Sequence, residues 1–309
     1  MRHRSAAAAA LAVLLLATAC TTTQIPTPQP GRIAVVATTT QMQDLVRHVG
    51  GGAVHVVGIL KPNVDPHDFE PTPSTAIELS GAKLVVESGL GVDAWADGLI
   101  SSSVPGTPVW IASRGLPRRA GDSGQPDGDP HWWHDPTLFE RAASALGDRL
   151  ATLDPAHAAG YRARAAAYAG AVRRMDRANR RLIATVPAAR RLLVTNHDAF
   201  RYFAAHYGIT VVGSVLPSLS SEGQPSAGQV AELIDRIRAL HVRAIFTESS
   251  LNPGLEQQIA GDAHVRVYAN LYGDTLGPAG SPGATYIGME RWNMRAMVAG
   301  FLGTRAPSD

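Results

Sequence analysis

Apolar and polar positions follow two rhythms along this chain. The run Arg32-Ile33-Ala34-Val35-Val36-Ala37-Thr38 is short, apolar and rich in β-branched residues, which predicts a strand. From Met42 to Val49 the apolar residues recur at helical spacing, and Gly50-Gly51-Gly52 ends them. Residues 54–60, 84–87 and 109–112 repeat the strand texture, separated by segments of helical character. Strands alternating with helices predict an α/β lobe on a mostly parallel sheet.

The texture changes at Asp154-Pro155, the pattern of an N-cap followed by proline at the first helical position. Residues 156–185 are rich in Ala and Arg and free of proline, and Pro187 closes the run. A helix of about 28 residues would reach about 42 Å, the length of a small protein. Beyond it the first pattern resumes, with strands expected at 191–195, 210–215, 244–248 and 266–269 and helices at 199–207, 229–240 and 255–261. The expected fold is therefore α/β with two lobes, each a mostly parallel sheet flanked by helices, joined by one long backbone helix. The expected boundaries are 32–153 for the N-terminal lobe, 154–187 for the connecting helix and 188–304 for the C-terminal lobe. Such a rigid connector favours small relative motions over wide hinge closure.

The first residues have a different origin. Arg2 and Arg4 precede an apolar run from Ala6 to Ala17, and Thr18-Ala19-Cys20 follows. This reads as a secretory signal over 1–20, too short to span a bilayer, in which about 18 to 20 apolar residues are needed. The small residue before Cys20 fits lipoprotein processing and acylation of that cysteine, although Ala17 stands where a lipobox usually has Leu. The proline-rich polar stretch 21–31 reads as a tether. Cys20 is the one cysteine among 309 residues, so the exported part has no disulfide and no thiolate for a metal. The formal charge is +2, and loss of Arg2 and Arg4 leaves it near zero, which gives no reason to expect nucleic-acid binding.

Three short segments carry candidate chemistry. Asp65-Pro66-His67-Asp68, Asp129-Pro130-His131-Trp132 and Thr195-Asn196-His197-Asp198 each set a histidine beside an acid at a loop. They are about 65 residues apart, so only folding can bring them together. His67, His197 and Asp274 follow expected strands, the end of an open α/β sheet where ligands bind. Three imidazoles and one carboxylate, His67, His131, His197 and Asp274, suit Zn²⁺ and also Mn²⁺ or Fe²⁺. With all four bound, no position is left for an activated water, so the site would hold a metal without catalysing a reaction. His134, three residues after His131, could be a second ligand on one helical turn, but Asp135-Pro136 looks like a helix start and His134 is rather expected to cap that helix or to line the cleft. Asp65, Asp68, Asp129 and Asp198 are expected either to orient the imidazoles or to cap loops and helices, and Glu248 to stand behind the site or in the cleft wall. His48, His55, His157, His206, His241 and His264 lack the loop-and-acid context.

Several segments in order resemble one known family. They include 36–40, Asp65-Pro66-His67-Asp68-Phe69-Glu70-Pro71, Ser88-Gly89-Leu90-Gly91, Asp129-Pro130-His131-Trp132, Asn196-His197-Asp198-Ala199-Phe200, Thr247-Glu248-Ser249-Ser250 and Tyr272-Gly273-Asp274-Thr275-Leu276. Together they resemble the zinc/manganese solute-binding lipoproteins of ABC importers over nearly all of 31–303. The resemblance implies two α/β lobes, a long backbone helix and a metal in the interlobe cleft on His67, His131, His197 and Asp274. Members that look manganese-selective often have Glu where this chain has His197, which leans toward zinc. Many zinc members carry a histidine-rich acidic loop before the second ligand, whereas 114–129 has no histidine.

The expected function is capture of a divalent cation, zinc first and manganese or iron(II) next, outside the cytoplasmic membrane. The cation would pass to an ABC permease driven by a separate ATPase, since the chain lacks a GxxxxGK[ST] loop. The protein is expected to be a monomer anchored through Cys20 to the outer face of the membrane, or secreted if Cys20 is not lipidated. The competing readings are a secreted metal-dependent hydrolase, with Glu248 or Asp198 as general base, and an adhesin or binder of a larger metal chelate. The chain lacks His-Glu-x-x-His, which counts against the hydrolase.

Overall fold

The computed structural model describes residues 31–121, 127–216, 218–219, 221, 224–305 and 307. The signal segment, Cys20 and tether residues 21–30 lie outside the described residues. Among the described residues, no helix is long and apolar enough to cross a membrane.

Two four-stranded parallel sheets form the scaffold. In the first, β1 (Ile33–Ala37), β2 (Val54–Gly58), β3 (Leu84–Glu87) and β4 (Val109–Ile111) stand in the order β2-β1-β3-β4. In the second, β5 (Leu192–Thr195), β6 (Thr210–Ser214), β7 (Ala244–Glu248) and β8 (Arg266–Leu271) stand in the order β6-β5-β7-β8. In both sheets the chain starts at an inner strand, steps outward and returns past it. The strand order thus reverses beside β1 and β5, where crevices open at the carboxyl ends.

Helix α1 (Thr40–Gly50) begins two residues before the apolar spacing suggests, because the Thr39 hydroxyl accepts the Met42 amide hydrogen and caps the first turn. Helices α2 (Pro73–Leu79) and α3 (Trp95–Ser103) pack against each other on the outer side of the first sheet. Helix α4 (Pro136–Leu153) starts where Asp135-Pro136 marks it, with the Asp135 carboxylate accepting from the Thr137 amide at 2.8 Å. The connecting helix α5 (Ala158–Ile183) is shorter than the expected 156–185, because Pro155–His157 forms a separate 3₁₀ turn. Its 26 residues still span about 39 Å. Tyr161, Ala165, Tyr168, Val172, Met175 and Asn179 make a buried stripe along it, at the three- and four-residue spacing of one helix face.

In the second lobe, α6 (Arg201–Tyr207) and α8 (Gly254–Ala263) match the expected helices to within a turn, and α7 (Ala227–Ala239) starts at a capping box built by Ser226 and Gln229. The final helix, α9 (Tyr286–Leu302), escapes a periodicity reading. Met289, Glu290, Trp292, Asn293, Met294, Met297 and Phe301 are all buried and only Arg291 and Arg295 are exposed, so its polar stripe is too narrow to create a clear period.

The cores explain why this last segment matters. Tyr272, Leu276, Tyr286, Met289 and Trp292 belong to the same apolar cluster as Val35, Leu45, Leu84, Phe139 and Tyr168. The chain leaves β8 in the second lobe, crosses to the first and returns along α9. Phe139 stacks on Tyr286 with ring centroids 3.5 Å apart and planes within 5°. Each fully buried side chain of that size contributes about 1.5–3 kcal/mol through removal from water, so the crossing is firmly fastened.

Candidate metal centre

Each of the four candidate side chains sits on a loop held by its own backbone contacts. The His67 loop follows β2, and the Asp65 carboxylate accepts from the His67 amide at 2.9 Å and from the Ser221 hydroxyl. His131 opens the short 3₁₀ turn Trp132–His134, and one oxygen of Asp129 accepts both its backbone amide, at 3.0 Å, and its ring Nδ1–H, at 2.8 Å. That bond leaves the Nε2 lone pair facing the other candidates. His197 lies just past the end of β5, with the Thr195 hydroxyl donating to its carbonyl at 2.7 Å. Its Nδ1 is 2.6 Å from Glu248 Oε1, a close polar contact without the alignment of a hydrogen bond. Asp274 follows β8 beside Gly273, where a Cβ would stand 1.9 Å from Glu248 Oε2. Only glycine lets the Asp274 loop and Glu248 approach so closely.

The structure brings His67, His131, His197 and Asp274 together, with one ligand atom of each lying within 4.8 Å of all the others. Asp274 is the hub. Its Oδ2 lies 3.0 Å from His197 Nε2 and 3.6 Å from His67 Nε2, and its Oδ1 lies 3.2 Å from His131 Nε2. A tetrahedral ion with bonds of about 2.1 Å would space its ligand atoms about 3.4 Å apart. The three Nε2 atoms and both Asp274 oxygens are buried without an aligned hydrogen-bond partner. An unsatisfied buried polar atom costs about 1–3 kcal/mol, and more when charged, so a cluster of them calls for a cation at its centre.

Electrostatics points the same way. Burial alone would hold Asp274 protonated, but the facing His197, His67 and His131 keep its carboxyl well below the usual carboxylate range. Burial pulls His131 down, yet Asp129 and Asp274 outweigh it and push the ring up to about 9. His197 is likewise raised against burial by Glu248 and Asp274. Burial pushes Glu248 up, opposed by His197. Without a cation, protons on the imidazoles balance the buried carboxylates.

Other expected site residues take different roles. His134 neither caps α4, since Asp135 does, nor lines a cleft, since it is wholly buried. Its Nδ1 is 2.8 Å from Glu290 on α9, and its ring stacks on Phe200 with centroids 4.6 Å apart. Asp198 does not orient an imidazole but pairs with Arg201 at 2.6 Å, one helical turn away. Asp65 fixes the His67 backbone rather than its ring. The groups behind the imidazoles are Asp129 and Glu248.

Nothing in the sequence pattern points to Gln41, whose Nε2 donates to the Asp274 carbonyl at 2.9 Å, or to Asn293, whose amide clamps the Tyr272 backbone at 2.9 and 2.7 Å. Glu290 was also missed, although the sequence carried a sign of it. A lone acid in an apolar helical run is a recognisable signal of a buried polar contact, and would have identified it.

Comparison with known proteins identifies the family. Residues 35–300 match the family model described as "Zinc-uptake complex component A periplasmic". The chain is 32% identical over 276 residues to the zinc-binding protein TroA of Treponema pallidum, covering 87% of this chain and 89% of that protein. It is 30% identical to the iron-binding protein YfeA of Yersinia pestis, over 87% of this chain and 86% of the relative, and 29% identical to the manganese-binding lipoprotein MntA of Bacillus subtilis, over 86% and 89%. The solved structure of the T. pallidum periplasmic zinc-binding protein superimposes with a TM-score of 0.81 at 29% identity, covering 89% of this chain and 100% of that one. With more than half of its length matched, the chain belongs to the zinc-uptake complex component A periplasmic family, the extracytoplasmic metal-binding components of ABC metal importers, and is a solute-binding transport protein rather than an enzyme.

Proposed function

We propose that this protein captures zinc through His67, His131, His197 and Asp274 and hands it to an ABC permease. The observation that carries the reading is the convergence of four buried side chains whose facing atoms have no aligned protein partner and lie within 4.8 Å of one another. Three nitrogens and one oxygen make a closed tetrahedral set of the kind zinc accepts, with the metal as cargo. Asp129 and Glu248 stand behind two of the rings and supply negative charge as the imidazole protons leave. Cation binding therefore releases protons, and affinity falls as pH drops from about 9, where the His131 ring takes up its proton in the metal-free site.

A second reading, manganese, has one observation in its favour. Both oxygens of Asp274 face imidazoles and lack an aligned partner, so the carboxylate is free to bind in a two-oxygen mode and raise the coordination number. The relatives named above are described as binding zinc, iron and manganese, so the family leaves this choice open. We further assign the mature chain to a monomer, tethered to the outer face of the cytoplasmic membrane by a lipid on Cys20.

The test is a thermal melt of chelator-stripped protein with and without zinc, followed by zinc–manganese competition. Zinc at about 100 times its Kd should add about 2.7 kcal/mol of stability. An unchanged melting temperature with both metals would remove the capture function. Manganese outcompeting zinc would select the second reading.

A further inference from the structure

Asp274 leaves the last strand of the second lobe, yet its loop is fastened to the first. Gln41, in the first turn of α1 and wholly buried, donates from Nε2 to the carbonyl of Asp274 at 2.9 Å and reaches that of Gly273 at 3.5 Å. Its Oε1 accepts from the Thr40 hydroxyl at 3.1 Å, and the Thr40 oxygen accepts from the Leu276 amide at 2.8 Å. Two neighbouring side chains thus close a ring of hydrogen bonds around residues 274–276. Trp133 Nε1 donates to the Gly273 carbonyl at 3.1 Å, and the Thr275 hydroxyl accepts from the Asn63 amide at 3.0 Å. Tyr272 and Leu276, on either side, are buried in the first lobe's core.

Of these bonds, all that reach the loop, but that of the Thr275 hydroxyl, go to its backbone. The Asp274 carboxylate itself takes no aligned hydrogen bond. A ligand held by its main chain keeps its oxygen lone pairs for a cation and loses little freedom on binding, which is how preorganisation raises affinity.

We propose that Gln41 is a positioning residue of the metal site, fixing Asp274 in the frame of the first lobe so that its carboxylate meets His67 and His131 at a set distance. The proposal rests on the metal-capture reading above. Gln41 touches no metal, so it acts only through Asp274. Replacing it with the similarly shaped Met leaves the Asp274 carbonyl without its donor and the Thr40 hydroxyl without its acceptor.

The experiment is a double-mutant cycle read by zinc affinity against a competing chelator, with the melting temperature of each metal-free protein measured in parallel. Gln41→Met should weaken zinc binding about 10-fold or more, the usual effect of removing a group behind a metal ligand. In an Asp274→Ala background, where three imidazoles still hold zinc weakly, the same substitution should change affinity less than about 2-fold. Gln41→Asn, which keeps the amide but is one methylene too short to reach, supplies the cycle if the Met variant does not fold, and should show the same loss. Wild-type affinity in the single variant, or an undiminished loss in the Asp274→Ala background, would overturn the role of Gln41 while leaving metal capture intact. Wild-type protein that binds no zinc would overturn both.

Discussion

His131 and His134 lie three residues apart on one short turn, both fully buried, each with Nδ1 2.8 Å from a carboxylate. Their chemistry is opposite. Burial lowers both rings, but Asp129 and Asp274 flank His131 on both of its nitrogens and carry it up to about 9. At His134 burial dominates, the neighbouring His131 adds to it, and the ring falls to about 3. Its partner Glu290 is pushed well above the usual carboxylate range by its own burial, and the two share one hydrogen bond. Phe200 and Phe203 pack the rest of the ring. One buried histidine faces other ligand atoms and awaits a cation, while the other is a neutral polar contact in an apolar setting. Proximity to an acid does not distinguish them; what lies beyond the second ring nitrogen does.

Removing one ligand should produce the largest contrast. Zinc at about 1,000 times the wild-type Kd stabilises by about 4 kcal/mol. His131→Ala should lose most of that gain, whereas His134→Leu should keep it, as measured by melts with and without zinc. Next comes the cost of breaking the other pair. Glu290→Leu leaves His134 buried without a partner and should lower stability by about 1–3 kcal/mol in chemical denaturation. Combining His134→Leu with Glu290→Met replaces the pair by apolar volume and should recover that loss, with zinc affinity close to wild type. If the recovered protein binds zinc 10-fold more weakly, His134 belongs to the metal site after all.

Smaller effects sharpen the comparison further. Asp129→Ala removes the acceptor behind His131 and should cost about 10–100-fold in zinc affinity by chelator competition. A third histidine, His206, stands between Asp135 and Asp176 at 3.1 and 2.7 Å. Burial lowers it, but hydrogen bonds to the two aspartates win and raise it to about 9. In the unfolded chain it titrates near 6.5. The folded form thus binds the proton more tightly, so its contribution is complete below pH 6.5 and is lost as pH rises through about 9. The stability difference between wild type and His206→Gln should shrink over that window. A difference that grows would reverse the sign of the assignment.

Much of this was legible in the chain. Strand and helix alternation carried the two α/β lobes, because strands such as 84–87 are short apolar runs and Asp135-Pro136 and Asp154-Pro155 mark helix and 3₁₀ starts locally. The loop histidines were legible because each sits past a strand or beside a proline and an acid. What stayed hidden depends on the chain's return path. Helix α9 is buried nearly all round and shows no period, and the contacts of Gln41, Glu290 and Asn293 join residues more than a hundred positions apart or lie within that helix's packing. Asp198 could not be resolved for the opposite reason: adjacency to His197 fitted both support for the ring and a local role in the loop, and the structure turns its carboxylate toward Arg201.

The most direct measurement of the central claim is zinc-edge X-ray absorption on the loaded protein, which counts imidazoles and light-atom ligands around the ion. Three imidazole nitrogens and one carboxylate ligand, at about 2.0–2.2 Å and without sulfur, are expected. A zinc ion with fewer than three imidazoles, or one surrounded mainly by water, would contradict the four-residue site.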